Sequence, residues 1–279
     1  MTPGPTLRSA SLILIAGFLG SRALGVVRNM ALAGTFGAGP ELDAYFAAFR
    51  LPDLIFQLIG GAALGSAFLP TFANHYVQKT QESAWRLASA AINLFTLAGG
   101  VAAAVCFIAA PAIVPLTVPG YTDAGREDTV YLTRIMLGSS VFFCASGLVT
   151  GVLNGRHHFL LPAFAPWVYN LSIIAGALLL QGPAGIAGPA WGVTIGAGLH
   201  LLVQLPGLRR IGMRYRPAAG LGTPGLGEVL RLMGPRILGL GSIQVNWLVT
   251  TVLASGLVAG SLAGLSYAWA VAMLPIGVI

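Results

Sequence analysis

The sequence predicts an all-α fold, a polytopic transmembrane bundle of about eight helices. Of its 279 residues 56% are hydrophobic and only 8% charged, against roughly a quarter charged in a soluble domain. The mean hydropathy is +0.82. The basic residues gather in alternate connections between long apolar runs, as they do when loop charge sets orientation in a membrane. A bilayer is the solvent in which such a chain turns apolar side chains outward and satisfies its backbone within helices.

Charge-free runs place the spans: Leu54–Gln78, Leu87–Thr122, Ile135–Gly155, His157–Leu208 and Ile237–Ile279. A crossing needs about 20 residues, so the longer runs fold back. Gly182-Pro183-Ala184-Gly185 turns one and Ala259-Gly260-Ser261 the other. The predicted helices cover 9–34, 41–74, 85–114, 129–153, 160–180, 187–208, 228–256 and 262–279. The first could be mistaken for a leader, with Arg8 as its basic start and Ala10 to Gly20 as its apolar stretch. Arg22 and further apolar residues follow without a break, so it reads as a membrane helix. In the second, Pro52 lacks a backbone donor and crowds the preceding turn, so a kink is expected there. Gly196-Ala197-Gly198 and the stretch Gly234 to Gly241 predict close helix–helix approach.

Arg8, Lys79, Arg86, Arg156, Arg209, Arg210, Arg214 and Arg216 fall on one side of this arrangement. Arg126 faces Glu41, Asp123, Glu127 and Asp128 on the other. The positive side, with the N-terminus, is therefore expected in the cytoplasm. The cluster Arg209, Arg210, Arg214 and Arg216 predicts contact with anionic lipids rather than with nucleic acid. Arg134, Arg231 and Arg236 stand near span ends, where headgroup contact is the simpler reading.

Enzymatic classes find little support. There is no Gly-rich loop ending in GK[ST], no pair of acids spaced for metal-dependent transfer, and no ligand cluster beside His157-His158. Cys106 and Cys144 lie in apolar runs and read as buried small residues. No cofactor is expected. A transporter of this composition would draw on membrane potential or an ion gradient.

Charges inside spans are costly and mark candidate functional positions. The first helix carries Arg22 and Arg28, about 120° and 9 Å apart on an ideal helix. A bend at Gly25 would let both face one lumen. Two guanidiniums there form a receptor for phosphate or pyrophosphate, because each forks onto two oxygens. The second helix offers Asp43, then Arg50 and Asp53 on either side of Pro52. Arg50 and Asp53, three residues apart, are expected to pair beside the hinge. Arg22, Arg28 and Arg50 are thus the substrate-binding candidates, and Gly25, Asp43, Pro52 and Asp53 those for gating or coupling.

Gly37 to Ile55 echoes Gly260 to Val278: Gly37 meets Gly260, Phe46 meets Trp269, Ala47 meets Ala270, and Leu51-Pro52 meets Leu274-Pro275. The echo divides the chain into a six-helix lobe, 1–216, and the start of a second, 217–279. With no flanking charge after Ile279, the last helix runs off the end of the sequence, which reads as a fragment or a truncated chain.

Ser21-Arg22-Ala23-Leu24-Gly25-Val26-Val27-Arg28, then Phe36-Gly37-Ala38-Gly39, Asp43-Ala44-Tyr45-Phe46 and Arg50-Leu51-Pro52-Asp53 follow in order. So do Ala67-Phe68-Leu69-Pro70, Gly151-Val152-Leu153-Asn154, Pro162 to Pro166 and Met233-Gly234-Pro235. The series resembles the MurJ (MviN) lipid II flippase family of the MOP exporter superfamily. The resemblance implies two lobes of six helices plus a C-terminal pair. It also implies alternating access to undecaprenyl-pyrophosphate-linked peptidoglycan precursor, and a cationic cavity whose arginines match Arg22 and Arg28. The family's acid at the start of the second helix matches Asp43, and its basic residue before Leu-Pro matches Arg50. Where the family has arginines after Leu-Pro, this chain has Phe56 and Gln57, with Gly61 at a following acidic position. Where its eighth helix has Asp-Arg, this chain has Trp269-Ala270. These departures keep other readings open: export of another polyprenyl-linked glycan or of a small cationic drug, or a membrane fragment that does not transport.

Overall fold

The computed structural model describes residues 7–61, 67–217 and 220–276. Residues 277–279 of the last predicted helix lie outside them. The described residues form helices joined by short turns. α1 (Leu7–Phe36) ends at Gly37, whose φ of +69° is a left-handed turn that favours glycine. α2 (Pro40–Ala48) starts on a proline, which has no N–H to leave unpaired, and carries Glu41 and Asp43 in its first turn. α3 is Arg50–Ile55, followed by a π-helical turn over Phe56–Gly61. α4 is Leu69–Asn74, followed by a second π turn over His75–Lys79. The expected single helix 41–74 is therefore segmented. Its first break falls at Phe49, between α2 and α3, one turn before Pro52. The proline explains the offset: its ring crowds the carbonyl four residues earlier, which is that of Ala48, the last residue of α2.

α5 (Gln81–Thr117) is capped by Thr80, whose hydroxyl accepts from the Ser83 N–H at 3.1 Å. α6 (Asp123–Gly155) is capped by Thr122 in the same way at 3.2 Å. α7 (Leu160–Leu179), a single turn α8 (Gln181–Ala184) and α9 (Ala187–Arg210) follow, the reversal passing through Gly185 at φ +53°. α10 (Leu226–Ser255) and α11 (Ser261–Ile276) meet at Gly260, φ +89°. Gly37 and Gly260, partners in the sequence echo, thus occupy the same kind of turn between a 30-residue helix and the next.

Among the described residues five helices, α5, α6, α7, α9 and α10, are long and apolar enough to cross a membrane. α6 is the centre of the bundle. It packs on α5, α9 and α2, and two-thirds of its most apolar stretch is buried. On its α2 side Leu132 and Met136 join Leu32, Leu42 and Tyr45 in one buried cluster. On its α5 side Leu148 and Val152 join Phe68, Phe72 and Trp85 in another. α5 turns Val101, Val105, Ile108 and Leu116 outward, an apolar stripe of the kind a bilayer receives.

α7 and α9 approach at backbone distance. A Cβ on Gly192 would lie 2.6 Å from the Ser172 carbonyl oxygen, and one on Gly196 3.1 Å from that of Tyr169. Gly196 therefore packs as predicted. The Gly234 to Gly241 stretch does not: nothing lies within 4 Å of the Cβ positions of Gly234, Gly239 or Gly241, because this part of α10 turns those glycines away from its neighbours.

The segment between α9 and α10 returns along α5. The Arg216 N–H donates to the Ser89 hydroxyl at 3.0 Å, Asn93 donates to the Pro217 carbonyl at 3.0 Å, and the Arg216 guanidinium meets Glu82 at 2.6 Å.

Candidate functional site

α1, α2, α3, α10 and α11 line a half-open cavity of about 360 Å³. Arg28 and Asn29 enter it from α1, Tyr45 and Phe46 from α2, Arg50 and Asp53 from α3. Trp247 comes from α10, and Ser266 and Trp269 from α11.

Arg28 is held by neutral partners. Its Nε and Nη2 donate to Asn29 Oδ1 at 3.2 and 3.0 Å, and its Nη1 to Asn170 Oδ1 at 3.2 Å. Asn170 is itself oriented by a bond to the Pro166 carbonyl at 2.9 Å. Arg50 donates from Nε to Thr251 Oγ1 at 2.7 Å, while its guanidinium carbon sits 4.8 Å from the centre of the Trp247 ring. The Thr251 hydroxyl can accept because its own proton goes to the Trp247 carbonyl, at 2.9 Å. Asp53 accepts from Gln244 Nε2 at 3.4 Å. Among the described residues the ion pairs are Arg126–Asp123 and Arg216–Glu82. Both cavity guanidiniums are thus fixed in direction without a contacting carboxylate, so their charge stays available to an anion.

The expected Arg50–Asp53 pair is not a contact. α10 offers Arg50 a hydroxyl and an aromatic face together, and Asp53 turns to Gln244 on the same helix. Arg22 and Arg28 part company. Arg22 lies against the Phe18 ring at 4.7 Å and donates to the Met273 carbonyl, outside the residues that line the cavity. α1 continues as a helix through Gly25, around which the space is open. Pro52 is buried behind the break between α2 and α3.

Asp43 is buried and binds backbone. Its two oxygens accept from the N–H groups of Gly260 and Ala263, each at 2.7 Å, at the start of α11. Beside it the turn between α5 and α6 abuts the end of α10. The Gly120 N–H donates to Ser255 Oγ at 3.1 Å, and a Cβ on Gly120 would lie 2.3 Å from the Ser255 carbonyl oxygen.

Three groups of polar residues escaped the sequence reading. Gln244, Trp247 and Thr251 recur at helical spacing on one face of α10, a signal that a search for polar stripes could have found. Arg134, expected at headgroups, also donates to the Phe107 carbonyl at 3.2 Å and lies over the Phe107 ring. That carbonyl is free because Pro111, four residues on, has no N–H to give it. Between α6 and α9, Ser146 Oγ lies 2.5 Å from His200 Nδ1. Gln204 donates to Ser146 at 2.8 Å and accepts from Thr150 at 2.8 Å.

A family model described as lipid II flippase MurJ matches residues 32–279. The lipid II flippase MurJ of Burkholderia cenocepacia is 33% identical over 267 residues, covering 92% of this chain and 52% of that protein. A probable lipid II flippase MurJ of Bdellovibrio bacteriovorus is 32% identical over 279 residues, covering 98% and 53%. The chain thus spans about half the length of the curated relatives it matches. Among solved structures, a lipid II flippase MurJ in an inward closed conformation superposes with a TM-score of 0.79 at 28% identity, over 95% of this chain and 55% of that one. A MOP superfamily transporter from Pyrococcus furiosus shares the fold with a TM-score of 0.76 at 18% identity, over 97% and 61%.

Proposed function

Because the chain belongs to the lipid II flippase MurJ family, a family of transporters and not of enzymes, we propose that it supplies the first half of a flippase for a polyprenyl-pyrophosphate-linked glycan, lipid II first among them. It is a multi-pass bacterial membrane protein. The observation that carries the reading is the pair Arg28 and Arg50, both facing one cavity and both held by uncharged partners. A pyrophosphate entering there would meet two preset guanidinium forks. Alternating access would come from movement of α10 and α11, the start of a second lobe, against helices of the first. Asp43, Pro52 and Asp53 act at the contacts and the break where that movement is taken up. Arg22, on the backbone of α11, acts on the same movement rather than on the cargo, and Gly25 leaves α1 free of a tight neighbour between the two arginines.

The N-terminus lies in the cytoplasm on this reading, on the side of Arg8, Lys79, Arg86, Arg156 and Arg209 to Arg216. Arg209, Arg210 and Arg214 meet anionic lipid headgroups there. Membrane potential or an ion gradient drives the cycle without a cofactor.

Complementation tests the proposal. The natural gene, whole, is expressed in bacteria depleted of their own lipid II flippase, beside Arg28→Ala. Rescue by the wild type and not by the variant, at equal membrane levels, is the expected result. A wild type that inserts and does not rescue removes lipid II as cargo. The aromatic walls and Asp53 favour one second reading, a small organic cation. Raised drug tolerance with no rescue would be its signature.

A further inference from the structure

Trp269 and Ala270 of α11 line the cavity, the first with an indole ring and the second with a methyl group. The Trp269 ring meets that of Trp247 edge to face, with centroids 5.0 Å apart and planes at 83°. One face of Trp247 is already covered by the Arg50 guanidinium. Trp269 lines the cavity and is 49% exposed, so its ring keeps surface open to a ligand. Trp247 fixes its angle, as an offset or perpendicular aromatic neighbour does. The two centroid distances place the Arg50 guanidinium no more than about 10 Å from the Trp269 ring.

We infer that Trp269 is a stacking platform for the sugar attached to the pyrophosphate, with Trp247 as its positioning residue; the inference rests on the function proposed above. A pyranose presents a face of C–H groups, weakly positive, and an indole ring presents a negative π face of similar breadth. The diphosphate next to that sugar needs cationic donors close by, and Arg28 and Arg50 are the ones this cavity holds. The wall that α11 gives the cavity is thus suited to the first sugar, beside a diphosphate held by the arginines. A cavity built this way separates a glycosylated carrier from a bare one, which a purely cationic cavity does poorly because both carry the same diphosphate.

The test uses the natural full-length protein in nanodiscs, with undecaprenyl pyrophosphate and the same carrier bearing a disaccharide as probes, binding being read by native mass spectrometry. Trp269→Ala should weaken the glycosylated probe about tenfold and leave the bare carrier within about twofold. Trp269→Phe, which keeps a ring, should recover part of the loss. Arg28→Ala should weaken both probes alike. If Trp269→Ala weakens both probes equally, or neither, the platform is wrong while the flippase reading stands. If wild type binds neither probe, the flippase reading fails and the platform with it. Loss of tetraphenylphosphonium binding in Trp269→Ala with glycolipid binding intact would also overturn the platform, in favour of a cation site.

Discussion

The carboxylate of Asp43 holds the start of α11 by accepting from the Gly260 N–H at 2.7 Å, and its second oxygen does the same for Ala263. It is a helix cap supplied from far away in the chain, and it joins the first turn of α2 to the turn before α11. Asp43→Ala leaves two buried donors unpaired, which costs about 1–3 kcal/mol. Asp43→Asn should cost nearly as much, because its amide end sets a donor against a donor. The expected outcome is a lower thermal midpoint in detergent for both variants.

Arg50 is bound in two ways at once, by its bond to Thr251 and by its position over Trp247. Lysine keeps the charge and loses both the planar stack and the fixed fork. Arg50→Lys should therefore retain measurable transport at about a tenth of wild type, a loss of ~1.4 kcal/mol, while Arg50→Ala falls to background. Initial rates of glycolipid translocation in vesicles would separate the two.

The Arg134–Phe107 bond exists because Pro111 leaves a carbonyl without its helical donor. Arg134→Ala should lower stability by about 1 kcal/mol in the natural background. In Pro111→Ala, where the helix can satisfy that carbonyl itself, the same change should cost much less. A double-mutant cycle measured by thermal unfolding reads the difference directly.

His75, in the turn after α4 and beyond the end of the predicted membrane helix 41–74, is buried against Gly225. Its Nδ1 lies 3.0 Å from Ser83 Oγ and its Nε2 3.3 Å from Lys79 Nζ. Burial, and then the Lys79 ammonium, push its pKa below the usual 6.5, against a smaller opposing pull from Glu228. A lowered histidine pKa stabilises the fold above pH 6.5, and that stability is lost as pH falls from there through the folded value. The thermal midpoint should drop between pH 7 and 5 in wild type and drop less in His75→Gln, in a series at constant ionic strength.

Gln204 joins α9 to α6 by bonding Ser146 and Thr150 within the bundle. Gln204→Leu leaves the buried Ser146 hydroxyl and the half-buried Thr150 hydroxyl each with one partner fewer, and should cost about 1–3 kcal/mol. Detergent unfolding should show it.

The helices were legible because burial in a bilayer is written in composition. Apolar runs, their Gly-Pro turns and the loop charges placed α5, α6, α7, α9 and α10 close to their observed ends. The segmentation after Pro52 was legible only in part. The proline predicts a fault, but the π turns at Phe56–Gly61 and His75–Lys79 depend on how neighbours pack. Arg28, Arg50 and Asp53 stood out because charge in a span is rare, and they do share one cavity. What each side chain touches was hidden. Thr251, Trp247 and Gln244 lie some two hundred residues away, and no local pattern links them to α3. Arg22 shows the same limit: spacing along α1 gives its angle, and only the position of α11 decides that it meets the Met273 carbonyl.

Anchoring of the returning segment on α5 bounds how far α10 can travel. Pro217 is tied to Asn93, and α10 begins at Leu226. Leu226, Val229 and Met233, at the near end of α10, pack with Trp85 and Leu87 of α5. That end is thus moored to α5, whereas the far end turns through Gly260 into α11 and is held across the bundle by bonds to Asp43 and Gly120. Once those bonds let go, the two helices swing together like a door on a post, with small excursions at the moored end and large ones at the turn they share.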